Sequence, residues 1–223
     1  LEIFVPNEES LKVMNLRIKN LINEERKIKL VLYIKTVLGE DEYLTNGNLK
    51  VEKTGNCLKI KNAFREECFK NKTMFISSNL KINSYTGDKD DFIGNGDVLN
   101  PEGLYKNLNN SSGLGKDSCI AIEFILKFSK LEDKKINIVF GEENSERNIE
   151  ELVEKYSNQE SVELEKNKTK TIWGDILNTI KVKTPSEELN ILMNGWLVYQ
   201  TLASRILGKT GYYQSGGAFG FRD

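Results

Sequence analysis

The chain has 223 residues, with 32 Lys+Arg against 33 Asp+Glu, a net charge of -1 and no histidine. That length allows one large domain or two small ones, and the charge balance argues against a nucleic-acid partner, which needs surplus Lys/Arg on one face. Without histidine there is no Ser-His-Asp or Cys-His nucleophile, no HExxH zinc site and no facial-triad iron site, so acid–base work falls to carboxylates, Lys, Tyr or a bound anion.

Leu1-Glu2-Ile3-Phe4-Val5 lacks the basic region and long apolar stretch of a signal peptide. It also lacks an initiator Met, and reads as the start of a chain cut from something longer. No apolar run approaches membrane-spanning length. Cys57, Cys68 and Cys119 are odd in number and show no CxxC spacing. They read as buried or idle thiols of a reducing cytoplasm, not as a disulfide framework or zinc site. The expected location is cytoplasmic, with no metal and no cofactor.

Met14, Leu16 and Ile18 are spaced by two, a polar turn follows at Asn23-Glu24-Glu25, and Ile28, Leu30, Leu32 and Ile34 alternate again. This spacing predicts an antiparallel hairpin with one face on a core. Shorter strands are predicted at Leu49–Val51, Leu58–Ile60, Met74–Ile76 and Leu80–Ile82. Ile120, Ile122, Phe124, Leu126 and Phe128 form the clearest period-two run, and Ile136, Ile138 and Phe140 follow the turn Glu132-Asp133-Lys134. Short strands separated by polar turns predict an antiparallel β-sandwich over residues 1–140.

From Tyr85 to Asp117 glycines punctuate a run of Asn, Asp and Ser. An irregular loop longer than about 15 residues is usually functional or mobile. Gly113-Leu114-Gly115-Lys116 is not a phosphate loop, because Asn110 and Asp117 stand where Gly and Ser/Thr are needed. Asp88, Asp90 and Asp91, interleaved with Lys89, read as a solvated loop and not a cation site.

After Gly141 the period changes. Ile149, Leu152, Val153 and Tyr156 predict an amphipathic helix capped by Asn144 or Ser145, and a helical linker is expected over 141–183. Thr184-Pro185-Ser186-Glu187 reads as a capping box with Thr184 as the cap. A continuous helix over about 185–207 is predicted, ended by Gly208. Trp173 and Trp196 sit on apolar stripes and are expected in a core. The wide apolar face of the last helix predicts self-association of the chain, a homo-oligomer.

Three stretches carry a family likeness. Leu192-Met193-Asn194-Gly195-Trp196-Leu197-Val198-Tyr199-Gln200-Thr201-Leu202-Ala203-Ser204-Arg205 resembles the first barrel helix of the inverting β-glucoside phosphorylases of glycoside hydrolase family 94. Gly211-Tyr212-Tyr213-Gln214-Ser215-Gly216-Gly217-Ala218-Phe219-Gly220-Phe221-Arg222-Asp223 looks like that family's loop entering the active site. Tyr85-Thr86-Gly87-Asp88-Lys89-Asp90-Asp91-Phe92-Ile93-Gly94 is similar to the sandwich loop of its β-1,2-glucan branch, which includes the phosphorylase-like part of cyclic β-1,2-glucan synthases.

The resemblance implies a super-β-sandwich, linker helices and the first helix of an (α/α)6 barrel, here residues 184–223. It implies phosphorolysis of β-linked gluco-oligosaccharides by inorganic phosphate. The general-acid Asp and most of the phosphate site would lie beyond Asp223, so no catalytic residue is expected in the chain and the chain alone is expected to be inactive. Arg222 and Asp223 would grip the donor sugar, a fixed donor fork beside an acceptor of vicinal hydroxyls. Gln214 and Phe219 are further substrate-binding candidates, for a hydroxyl and a sugar face. The alternative is a non-catalytic carbohydrate-binding or dimerisation sandwich. It has no use for a barrel helix joined to an active-site loop.

Overall fold

The computed structural model describes residues 1–39, 41–62, 64 and 71–207. The chain divides into two compact units, Leu1–Lys166 and Asn167–Asp223. Among its described residues the first contains nine strands: β1 (Glu2–Phe4), β2 (Leu11–Lys19), β3 (Arg26–Ile34), β4 (Leu49–Thr54), β5 (Cys57–Asn62), β6 (Thr73–Ser78), β7 (Ile82–Asp88), β8 (Ser118–Phe128) and β9 (Asp133–Glu143). They form an antiparallel six-stranded sheet, β1-β2-β9-β6-β5-β4, and an antiparallel three-stranded sheet, β3-β8-β7. Between the sheets lies the core. Ile120, Ile122, Phe124, Leu126 and Phe128 of β8 are buried there against Ile136 and Ile138, with Leu58, Ile60 and Ile76. Each such side chain contributes roughly 1.5–3 kcal/mol by leaving water.

The predicted hairpin over residues 14–34 is not formed. β2 pairs with β9 and β3 with β8, so the chain crosses from one sheet to the other. The connection from β8 to β9 crosses back, and the two arches lie side by side. Asn20 locks them. Its Nδ2 donates to Glu24 O at 2.7 Å and to Ser129 O at 2.9 Å, and its backbone N–H donates to Glu132 O at 2.8 Å. Leu131, at φ 55°, donates its N–H to Ile22 O. Two strands with one apolar face each can sit side by side or face each other. Residues 20–25 are too many for the tight turn that favours a hairpin.

The strand predicted at 80–82 begins only at Ile82 and runs on to Asp88, into the stretch expected to be loop. Asn56 holds the preceding turn, donating to Ser78 O and Leu80 O and accepting from Ile82 N. Polar Ser84, Thr86 and Asp88 are buried in β7, which hides the alternation. The three-residue β1 gave no signal.

Helical turns interrupt the sandwich at α1 (Glu42–Thr45) and α2 (Lys89–Phe92). The helices α3 (Glu146–Ser157) and α4 (Gln159–Leu177) follow the last strand. Ser145 caps α3, as one of the two expected caps. Ile149, Tyr156 and Val162 cover the outer face of the six-stranded sheet, packing on Leu11, Val13, Phe75 and Val139. The Tyr156 hydroxyl donates to Glu9, whose other oxygen lies 2.7 Å from Lys155 Nζ.

In the second unit, the helix predicted as continuous over 185–207 is broken. It comprises α5 (Glu187–Ile191), a wide turn at Leu192–Trp196, α6 (Leu197–Gln200) and a second wide stretch, Thr201–Leu207. Ser186, not Thr184, is the N-cap, accepting from Leu189 N. Thr184 belongs instead to an extended segment read by two asparagines. Asn190 accepts from Thr184 N at 2.7 Å and donates to Thr184 O at 2.9 Å. Asn194 does the same to Val182, at 2.6 and 2.8 Å. Asn194 leaves helical geometry at ψ 37°, and Gly195 turns at φ 154°, which favours glycine. Gly208 lies outside the described residues.

Candidate functional site

The sandwich motif at 85–94 opens the connection from β7 to β8. This connection covers the outer face of the three-stranded sheet. Phe92, Ile93 and Leu108 are buried on Val31, Tyr33 and Ala121, with Phe92 stacked on Tyr33 at 5.1 Å. Beneath it Glu123 is fully buried, 2.7 Å from Lys29 Nζ and bonded by Asn83 Nδ2. Lys29 Nζ also donates to Lys106 O at 2.7 Å, tying the connection to the sheet. Gly87 and Gly113 let the backbones touch: a Cβ on Gly113, at φ 74°, would lie 2.3 Å from Gly87 O.

Asp88 and Asp91 of the motif have structural partners. Asp88 caps α2 by accepting from Asp90 N. Asp91 accepts from Asn109 N at 3.0 Å and sits 3.4 Å from Lys106 Nζ. Lys89 pairs with Asp117 at 2.6 Å, and that hydrogen bond raises the ammonium's pKa. Among the described residues no group of three His, Cys, Asp or Glu could hold a metal ion. Burial pushes the Cys119 thiol up to about 12 and the Cys57 thiol up to about 11, which leaves both inert at neutral pH.

Past the motif, the tip is held by its own side chains. Asp97 accepts from Leu99 N and Asn100 N, Asn95 donates to Glu102, and the Tyr105 hydroxyl donates to Asn100. The tip presents Val98, Leu99 and Tyr105 to solvent, Leu99 at 93%. Periodicity did not single out these residues. Their signal is an apolar pair and a tyrosine flanking a turn of Asp97, Asn100 and Pro101.

In the second unit a groove of about 460 Å³ is lined by Ile176, Ile180, Leu197, Val198 and Leu202. Tyr199 lies 5.5 Å from Trp173 and 6.2 Å from Trp196. Trp196, expected in a core, is 54% exposed, because nothing among the described residues covers that side of α5 and α6. The expected sugar-binding residues Gln214, Phe219, Arg222 and Asp223 lie outside the described residues.

Residues 1–159 match the glycosyl hydrolase 94 supersandwich domain. The chain belongs to the glycosyl hydrolase 94 family. Residues 172–223 match the catalytic domain of the glycosyl hydrolase 94 superfamily. This second match holds α5, α6 and all four expected sugar-binding residues. The glycosyl hydrolase 94 chain is 27% identical over 217 residues to the cyclic beta-(1,2)-glucan synthase NdvB of Rhizobium meliloti (strain 1021). That alignment covers 95% of the chain and 8% of the synthase, so the chain spans a small part of its relative. A solved structure titled as a kojibiose phosphorylase from human microbiome is 13% identical, covering 91% of this chain and 23% of that one at a TM-score of 0.28. A likeness of that degree decides nothing about fold or function. No helix among the described residues is long and apolar enough to cross a membrane.

Proposed function

We propose that the chain is the sandwich, linker and barrel-entry part of an inverting phosphorylase acting on β-linked gluco-oligosaccharides. The observation that carries this is the order of the two family matches, sandwich at 1–159 and catalytic domain at 172–223, on one short chain. In this reading residues 1–140 form the sandwich, 141–183 the linker and 184–223 the start of the barrel. Arg222 and Asp223, helped by Gln214 and Phe219, hold the donor sugar. A carboxylic acid from outside residues 1–223 protonates the leaving oxygen. Inorganic phosphate attacks the anomeric carbon from the opposite face, so no second carboxylate is needed to activate water. No cofactor is required, and the reaction is placed in the cytoplasm.

The test follows the anomer. The protein that carries this chain is incubated with β-linked gluco-oligosaccharides and inorganic phosphate, and the products are read by NMR. Inversion at a β-glucoside gives the α-sugar 1-phosphate. A β-phosphate, or free glucose released at a phosphate-independent rate, overturns the reading. Residues 1–223 alone are expected to release no sugar phosphate. In the whole protein Arg222→Ala should lower kcat/KM about 100-fold, the loss of a charge-assisted grip.

A further inference from the structure

The two helices that follow the last strand are held on the sheet by different means. α3 is anchored by apolar side chains: Ile149 and Tyr156 are buried, with Leu152 and Val153 packed beside them. The start of α4, residues 159–166, has two apolar residues, Val162 and Leu164. The first is buried and the second exposed. Charge holds the rest. Glu163 lies 3.2 Å from Lys135 of β9, Glu165 lies 3.1 Å from Lys155, which also holds Glu9, and Lys166 lies 2.9 Å from Glu2. Ion pairs open to water on one side are weak, and salt screens them.

The floor under this start is polar. On β9 Ile136 and Ile138 face the core, so Asn137 faces outward. It stands between Lys135, which reaches Glu163, and Val139, a member of the apolar cluster that holds Val162. Asn15 of β2 is its neighbour directly across the ladder and is buried as well. Asn137 is fully buried, yet neither Nδ2 nor Oδ1 has a hydrogen-bond partner among the described residues, and neither has Oε1 of Gln159 in the first turn of α4. Unpaired buried amides are rare, and each costs about as much as burying one Val gains. With the helix down, three unpaired polar atoms oppose one buried Val. With the helix up, water pairs all three. A joint for this motion is in place. Asn158 alone separates the helices, extended at φ -87° and ψ 124°, and its Oδ1 accepts from Glu160 N at 2.8 Å, so α4 keeps its cap as it turns.

We propose that residues 159–166 are a releasable strap, hinged at Asn158, which exchanges between lying on the sheet and standing off in water while α3 stays down. α4 runs unbroken from Gln159 to Leu177, past the division at Lys166, so the strap carries the rest of its helix with it.

Thiol labelling of the intact chain reads the motion at the contact itself. One cysteine is placed under the strap, Val162→Cys, and another under α3, Ile149→Cys. The unsubstituted chain gives the background of its own thiols. The thiol at 162 should react with a disulfide reagent about tenfold faster than the thiol at 149. Raising NaCl from about 0.05 M to about 1 M should speed the reaction at 162 about threefold and leave 149 unchanged. Asn137→Leu removes the unpaired amide and should slow reaction at 162 about fivefold. Lys135→Met removes a tether and should speed it about twofold, and this arm decides by itself if Asn137→Leu does not fold. Equal rates at 162 and 149 overturn the proposal, because both sites then open only when the whole chain unfolds. A rate at 162 indifferent to salt and to Lys135→Met overturns it too. So does faster reaction in a folded Asn137→Leu chain, which means that bound water pairs the amide and makes it an anchor.

Discussion

The sandwich and the helical segment after residue 167 use similar proportions of Leu, Ile and aromatic side chain to opposite effect. In the sandwich, two sheets close on each other and bury β8 at 0–2% exposure on its inner face. In α5 and α6 no residue is buried, and Ile191 is 68% exposed. A helix hides its apolar stripe only if neighbours supply the facing surface. The sandwich brings both of its surfaces with it. Cooperative stability of the chain therefore resides in residues 1–166, while the helical segment is held by local polar contacts.

The largest expected effect is in the core. Phe124→Ala should cost about 3–5 kcal/mol of unfolding free energy in denaturant titration, while Leu192→Ala should cost under about 1 kcal/mol. Equal losses would erase the contrast. Next comes the ion pair under the long connection. Glu123→Ala strands Lys29 and should cost about 3 kcal/mol, the low end for a broken buried pair because Lys29 still reaches water. Asn190→Ala should cost about 1–2 kcal/mol, felt locally. Amide exchange at Thr184 should speed up while the sandwich melts unchanged.

The smallest effect is acid sensitivity. Hydrogen bonds from Lys166 and Lys135 hold the Glu163 carboxyl at about 2, below its ordinary 4.5. A depressed folded value means the contribution is complete above pH 4.5 and is lost as the pH falls toward 2. Solvent screening keeps it to about 1 kcal/mol. Glu163→Gln should flatten the stability profile across that window, lowering stability by about 1 kcal/mol at neutral pH and changing it little near pH 2.

Much of this layout was legible in the residues, and the misses have physical causes. The alternation Ile120–Phe128 and the capped helix at 146–157 were read correctly, because one side of each element is uniformly apolar. Period two says that a strand has an apolar face, but not which sheet it joins, so it does not separate a β2–β3 hairpin from the observed pairing of β2 with β9 and β3 with β8. The fact that separates them is Asn20, whose amide binds Glu24 and Ser129, residues far apart in sequence. The helix break at Asn194-Gly195 was invisible because the apolar stripe runs straight through it from Leu192 to Leu197. Thr184 resembled a cap because its use, as backbone for Asn190, depends on a residue six positions on. The four expected sugar-binding residues rest on a motif, and they fall outside the described residues.

The paired asparagines have a metric consequence. Four residues of helix advance about 6 Å and return to nearly the same face, while two residues of extended chain advance about 6.6 Å and return to the same edge. Asn190 and Asn194 are four apart, and Thr184 and Val182 are two apart. The two rulers coincide at both marks, as on a vernier. Sliding the extended segment by one residue takes both marks out of line together, and inserting one residue between 190 and 194 swings one amide about a quarter-turn away. The helix is thereby indexed in height and in rotation at once, without a single buried side chain, before the chain goes on past Leu207.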